Sequence, residues 1–349
     1  MLQLPRRSVL RAAAGILGAV WLSGGSALAK SISAAEHAKT IGPAGKKLAM
    51  RFAHLTDLHA QPQRGAGEGV AACLTHIMAR DAASKPSLII TGGDLIMDSF
   101  AQGEARTKLQ WELLMAKFKD GTDLPIEHCL GNHDIWGWNK SKSGTTGQEK
   151  GWGKKYACDV LGMDKPYHSF DRSGWHFIVL DSVLPKDEGY TGGLDAEQFE
   201  WLASDLAAVS KTTPVCVVSH IPILGAGLMM VDGLVKENGM LVPAAVMFTN
   251  AYQMIELFRK HPNVKLCISG HIHIEERVDF QGVSYICDGA VSGAWWRGAK
   301  VDLEARRAKL KADAPPIQSR SDEGYGLFDL FDDGSFDWRY EKYGWQAQA

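Results

Sequence analysis

The sequence has little cysteine and no cysteine pattern: six Cys are scattered over 349 residues, and no C-x-x-C occurs. A disulfide framework, a zinc ribbon and a dithiol redox pair are thereby excluded as the basis of its fold or chemistry. An excess of one charge sign is also lacking, since 38 Lys and Arg face 40 Asp and Glu, giving a formal net charge of −2 with no long block of either sign. Whole-molecule charge therefore carries no nucleic-acid signature, and no nucleic-acid partner is expected. What is present, 45% hydrophobic and 9% aromatic residues, suffices for one large core or two modest ones and rules out disordered and collagen-like classes.

Residues 1–29 contain no acid. Arg6, Arg7 and Arg11 precede the mostly apolar run AAAGILGAVWLSGG, and Ala27-Leu28-Ala29 forms a small-residue cleavage site. The string PRRSVLR resembles the twin-arginine (Tat) signal, which implies bacterial export of an already folded protein through the Tat machinery to the periplasm or beyond. Cleavage after Ala29 removes three arginines and leaves a more acidic mature chain with no stable membrane anchor expected.

Residues 30–48 are small, polar and punctuated by Gly and Pro, reading as a flexible lead-in to one domain over 49–345. Within it, short apolar runs such as SLIITGG, HFIVLDS, VCVVSH and VKLCISGH alternate with helix-like stretches such as ARTKLQWELLMAKF. Such alternation predicts an α/β architecture. Asp195 is placed as an N-cap with Gln198 three residues on, opening a helix. SYICDG and YGLFDLFDDGSFDWRY read as hairpin strands expected to complete a second sheet, the latter turning at Asp332-Asp333-Gly334.

Several strands end in polar clusters: Asp57 with His59, Gly93-Asp94, Asn132-His133-Asp134, His220, and His271 with His273. Ligands in α/β sheets collect beyond the carboxyl ends of strands, so these clusters can converge although they are far apart in the chain. Their mixed oxygen and nitrogen donors suit divalent first-row metals. Two aspartates (Asp57, Asp94), one amide (Asn132) and four imidazoles (His59, His220, His271, His273), besides His133, make seven candidates that can hold two ions if one carboxylate bridges, and two such ions imply an anionic substrate.

The order D-x-H, G-D, G-N-H-D, H, G-H-x-H resembles the calcineurin-like metallophosphoesterases, which include purple acid phosphatases and class III cyclic-nucleotide phosphodiesterases. The strings YHSFDRSGWHFIVLDS and LDAEQFEWL resemble segments of the family's exported bacterial members. The resemblance implies a four-layer fold, two mixed β-sheets packed as a sandwich and flanked by helices. It implies a hydrolase of phosphodiesters or small organic phosphomonoesters, working through a hydroxide shared by two divalent ions such as Mn, Fe or Zn. Asp57, His59, Asp94 and His273 would hold one ion; Asp94, Asn132, His220 and His271 would hold the other, with Asp94 as the bridge. His133 would be the general acid, and Asp134 would orient its loop or its imidazole. Iron-purple members carry a tyrosine where this chain has Met97, so a tyrosinate-bound ferric ion is not expected.

Two segments, 135–153 and 222–249, interrupt the pattern after strand-end clusters, where they would either overhang the site or serve as surface loops and oligomer contacts. Trp136, Trp138, Trp296 and Arg297 are candidate substrate contacts, with Trp295 in the same aromatic stretch; core packing is the competing reading. Two rival functions remain: an exported copper redox protein using His271 and His273, and a non-catalytic metal- or phosphate-binding protein.

Overall fold

The computed structural model describes residues 46–230, 235–298 and 320–347. The expected signal peptide at 1–29 and most of the lead-in at 30–48 lie outside the described residues. The chain order begins β1 (Leu48–Leu55), α1 (Ala66–Met78), β2 (Leu88–Gly92), α2 (Glu104–Gly121), β3 (Ile126–Cys129). Two helices, α3 (Lys140–Ser143) and α4 (Lys154–Leu161), lead to the hairpin β4 (His168–Arg172) and β5 (Trp175–Val179). A ribbon of β6 (Val183–Lys186) and β7 (Gly189–Gly192) precedes α5 (Ala196–Ala208) and β8 (Val215–Val218). After the small ribbon β9 (Val235–Lys236) and β10 (Gly239–Met240) come α6 (Ala251–Lys260) and β11 (Val264–Ser269). The hairpins β12 (Glu275–Phe280) with β13 (Val283–Asp288), and β14 (Gly324–Phe331) with β15 (Phe336–Lys342), end the order.

Two mixed sheets result. The first runs β15-β14-β1-β2-β3, with β1, β2 and β3 parallel and β14 antiparallel to β1. The second runs β12-β13-β11-β8-β5-β4, its four inner strands parallel and its edges antiparallel. The period-two geometry of a strand sends alternate side chains to opposite faces. In β1, Met50 and Phe52 enter the layer between the sheets while Ala53 and Leu55 face the helices. Phe52 stacks on Phe328 at 4.8 Å and meets Phe177 of the second sheet edge-on at 5.8 Å, joining the sheets. On the outer face of the first sheet pack Val70, Leu74 and Ile77 of α1 with Trp111 and Leu114 of α2. Leu202 and Leu206 of α5, with Met254 and Phe258 of α6, cover the second sheet. These are the four layers expected.

One strand assignment is corrected. The β14–β15 hairpin extends the first sheet beside β1 rather than completing the second, which β13 joins instead. The reason lies in β14: Leu327 packs toward the helices and Phe328 and Leu330 toward the sandwich. A strand apolar on both faces belongs inside a sheet. Helix α5 starts where expected, the Asp195 carboxylate accepting from Gln198 N at 2.8 Å. The Gln198 amide, instead of returning to the cap, bonds the backbone of Asp181 in both directions at 2.9 Å.

All six cysteines are buried and free, and burial raises the thiols of Cys73, Cys129 and Cys216. Among the described residues no helix is long and apolar enough to cross a membrane.

Candidate metal centre

All five polar clusters sit just beyond the carboxyl ends of parallel strands: Asp57 and His59 after β1, Asp94 after β2, Asn132 and His133 after β3, His220 after β8, His271 and His273 after β11. Asp134, though in the same turn as His133, faces away from the others. Parallel neighbours end on the same side of a sheet, so residues distant in sequence meet there. The backbone turns sharply at three of these exits, after β1, β2 and β11: Asp57, His59, Asp94, His271 and His273 all have φ between 43° and 71°. A non-glycine residue tolerates that left-handed conformation only where surrounding contacts over-determine it. Here Asp57 N donates to Gly93 O and His59 N to Asp94 O, both at 2.9 Å, and His271 N donates to Asp57 Oδ2 at 2.9 Å. Gly131 and Gly270 permit the close approach, since a Cβ on Gly131 would fall on Asp94 and one on Gly270 on Thr56 and Asp57.

The histidines are aimed by their outer nitrogens. His220 Nδ1 bonds Gly92 O at 2.7 Å, His273 Nδ1 bonds Gly293 O at 2.5 Å, and His271 Nε2 bonds Ala245 O at 2.9 Å. Each ring then presents its other nitrogen inward, as a metal-holding imidazole does. His59 Nε2 faces His273 Nε2 at 3.2 Å, and His220 Nε2 faces His271 Nδ1 at 3.2 Å and Asn132 Oδ1 at 3.2 Å. Asp57 Oδ1, buried and without a hydrogen-bond partner, lies 3.1 Å from His273 Nε2 and 3.7 Å from His59 Nε2. Asp94 Oδ2 stands between the two groups, 3.2 Å from His220 Nε2 and 3.8 Å from His59 Nε2. Its other oxygen accepts from His133 N at 2.8 Å. Lone pairs facing one another at such distances require a proton or a cation between them, and the oxygen and nitrogen donor set suits a divalent metal.

Electrostatics agree. Burial would raise the Asp57 and Asp94 carboxyls, but His273 and His59 around the first, and His220, His133 and His59 around the second, hold both below the ordinary value. Burial lowers His59 and His271 to about 4, so both rings are neutral donors at physiological pH. His220 behaves oppositely: burial works against its proton, yet Asp94 and Asp57 push it up to about 9. Two carboxylates in a buried pocket thus call for positive charge, which bound metal would supply.

His133 reaches to 3.9 Å from Asp94 Oδ2 and remains partly exposed. Asp134 is fully buried and does not face this cluster; it accepts backbone N–H bonds from Leu95, Ile96 and Gly131. The loop-orienting role is the one its contacts fit.

The expected aromatic contacts at Trp136, Trp138 and Trp296 are corrected to packing positions. Trp296 is 0% exposed, donates to the carbonyls of Leu58 and His59, and packs against Gly69 of α1. Trp136 donates to Gln102 O at 3.1 Å, and Trp138 lies beneath the Lys154 ammonium at 5.3 Å. Adjacent aromatics are indistinguishable by composition, and only the turn after β13 decides that Trp295 is the one directed at His273, with ring centroids 4.5 Å apart. Arg297 is exposed, as a substrate contact would need to be. Tyr190 on β7, which sequence reasoning missed, meets the His271 ring edge-on at 6.2 Å, and burial followed by Asp94 raises its phenol, keeping it protonated. No motif marks it; its place comes from the β6–β7 ribbon. The 222–249 segment also touches the centre, through the Ala245 carbonyl that orients His271.

The chain shares 25% identity over 249 residues with a 3',5'-cyclic-nucleotide phosphodiesterase of Nostoc sp., covering 69% of this chain and 78% of that protein. It shares 24% over 241 residues with a probable cyclic nucleotide phosphodiesterase of Synechococcus sp., covering 66% and 76%. Its fold is similar to that of a dimetal phosphatase from Danio rerio, with a TM-score of 0.53 at 15% identity over 85% of this chain and 97% of that one. The family model for calcineurin-like phosphoesterases matches residues 50–275, a span that takes in every donor of the buried cluster. The chain belongs to the calcineurin-like phosphoesterase family and is a hydrolase of phosphoester bonds.

Proposed function

We propose that the chain is an exported phosphodiesterase dependent on two divalent metal ions. The observation that carries this reading is the position of Asp94 Oδ2, one carboxylate oxygen within 3.8 Å of imidazole nitrogens from both halves of the cluster. Asp57, His59, Asp94 and His273 would hold one ion, and Asp94, Asn132, His220 and His271 the other. Bound there, the ions would supply Lewis acidity toward phosphoryl oxygens and an acidified water.

The chain's own residues do the rest. The outer carbonyl bonds of His220, His271 and His273 fix which nitrogen each presents, so the donors need no rearrangement on loading. His133, held by its backbone N–H on Asp94 and partly open to solvent, would hand a proton to the departing oxygen. Tyr190 can donate a hydrogen bond from the opposite, His271 side. The two cyclic-nucleotide phosphodiesterase relatives favour a diester over a monoester. The twin-arginine pattern of residues 1–29 supports export to the periplasm after metal loading.

The test is hydrolysis of bis-p-nitrophenyl phosphate beside p-nitrophenyl phosphate by the mature protein, reconstituted in turn with manganese, zinc and iron, with a chelated control. Metal-dependent turnover favouring the diester is expected. Absence of metal-dependent turnover of either ester would overturn the reading.

A further inference from the structure

Beside the His273 half of the centre, the turn after β13 gathers arginines around Trp295. The indole lies 4.5 Å from the His273 ring, and the Arg320 guanidinium stacks over it at 4.1 Å. The Trp295 carbonyl accepts a hydrogen bond from Arg64 Nη1 at 3.1 Å. Arg64 comes from the turn that leads into α1, with φ 58°, and Arg297 follows Trp295 by two residues. Trp295 itself has φ 55° and Trp296 φ 58°, so two consecutive bulky residues hold a left-handed backbone to present this turn.

Among the described residues the charges of Arg64 and Arg297 are uncompensated. Arg51, Arg80, Arg259, Arg277 and Arg339 each pair with a carboxylate. Among the described residues neither Arg64 nor Arg297 has an acidic partner, although both are exposed on one side of the centre. Burial, and then the nearby charge of Arg297, lower the Arg64 pKa, so the two cations are close enough to repel. Like charges held together cost energy that an anion between them would recover. A guanidinium fork matches the geometry of phosphate oxygens, and the Trp295 carbonyl limits how far the Arg64 fork can wander.

We propose that Arg64 and Arg297 form a second anion subsite next to the His273 half of the centre, taking a second phosphate carried by the phosphoester substrate. This rests on the reading of the buried cluster as the hydrolytic centre. A terminal phosphate carries about −1.5 to −2 charge at neutral pH, matching two guanidiniums, while a diester phosphate carries a single charge that the buried cluster would take. The preferred substrate is then a diester with a phosphate elsewhere on the same molecule, rather than one whose only anion is the scissile group.

The test compares two chromogenic diesters with the metal-reconstituted full mature chain: the p-nitrophenyl ester of thymidine 5′-phosphate, with and without a further phosphate on its 3′ oxygen. The expected result is a kcat/KM ratio of about tenfold or more in favour of the doubly phosphorylated ester, the size of one or two charge-assisted hydrogen bonds. In the Arg64→Ala/Arg297→Ala variant that ratio is expected to fall toward one through a rise in KM. Arg64→Lys, which keeps the charge but loses the fork, is expected to give an intermediate ratio and guards against a folding artefact. A ratio near one in the unaltered protein, or one that the double variant leaves in place, would overturn the subsite while leaving the hydrolytic reading intact. Failure of both esters and of bis-p-nitrophenyl phosphate would overturn the hydrolytic reading and the subsite with it.

Discussion

The Asp134 carboxylate and the Leu95 backbone N–H lie 2.8 Å apart, and the same oxygen accepts from Ile96 at 3.2 Å while the other takes Gly131 N at 2.8 Å. One buried side chain therefore ties the loop after β2, which presents Asp94, to the loop after β3, which presents Asn132 and His133. Removing it in Asp134→Ala leaves three buried donors unsatisfied, at about 1–3 kcal/mol each before relaxation. We expect a loss of about 3 kcal/mol or more by denaturant unfolding, with metal content falling in parallel. An Asp134→Ala protein with normal stability and reduced turnover would instead assign Asp134 a direct catalytic part.

His133→Ala is expected to lower kcat about 10²-fold or more on diesters with alkyl leaving groups, the usual scale for losing a general acid. The loss on bis-p-nitrophenyl phosphate should be much smaller, because p-nitrophenolate leaves without protonation. Metal content should be unchanged. Equal losses on both classes of ester would remove the proton-donor role.

Metal analysis of the purified mature protein is expected to give two ions per chain, and Asp94→Ala about one or fewer, since the substitution removes the oxygen shared by both halves. Chelation should abolish activity and lower Tm, as ions that bind only the folded state stabilise it by mass action. A single ion per chain in the unaltered protein, with full activity, would overturn the two-ion reading.

Trp296→Ala is expected to cost about 3–5 kcal/mol, the range for emptying a large buried aromatic site, whereas Trp295→Ala should leave stability nearly intact and change KM. Chemical unfolding and steady-state kinetics on the same preparations separate the two. A mild stability effect of Trp296→Ala would contradict its place against Gly69.

His176 sits between Asp171 at 2.7 Å and Asp205 at 2.8 Å. Burial lowers its pKa, but the bonds to Asp205 and Asp171 raise it more, so the folded value lies above the ordinary 6.5. A folded pKa above the unfolded one gives stability that is fully present below about pH 6.5 and lost as pH rises through the folded value. His176→Asn should therefore cost about 1 kcal/mol near pH 6 and progressively less as pH rises through the folded value. An effect that does not depend on pH would show that packing, not the proton, is what the ring contributes.

Much of the molecule was legible in the sequence because its signals are local. The continuous apolar run of β2 announces a strand buried on both faces, Asp195 a helix start, and the spacing of Asp57 with His59 or His271 with His273 a pair of donors at one strand end. The five blocks in order also carried the family. Each of these depends on neighbours in the chain, where the sequence states the geometry directly.

Other features depended on partners far away in sequence, and only the tertiary structure decided them. Which nitrogen His271 turns inward is set by the carbonyl of Ala245, and which sheet β14 joins is set by its pairing with β1. Trp295 and Trp296 have the same composition and adjacent positions, yet one lies beside His273 and the other is sealed against Gly69. Arg64 and Arg297 come together because the segment before α1 and the turn after β13 meet, through the Arg64–Trp295 bond and the Trp296 indole on the Leu58 and His59 carbonyls. Residue types and their spacing set the available chemistry; the packing of two sheets set the direction of each side chain, because direction depends on contacts that no short stretch of sequence contains.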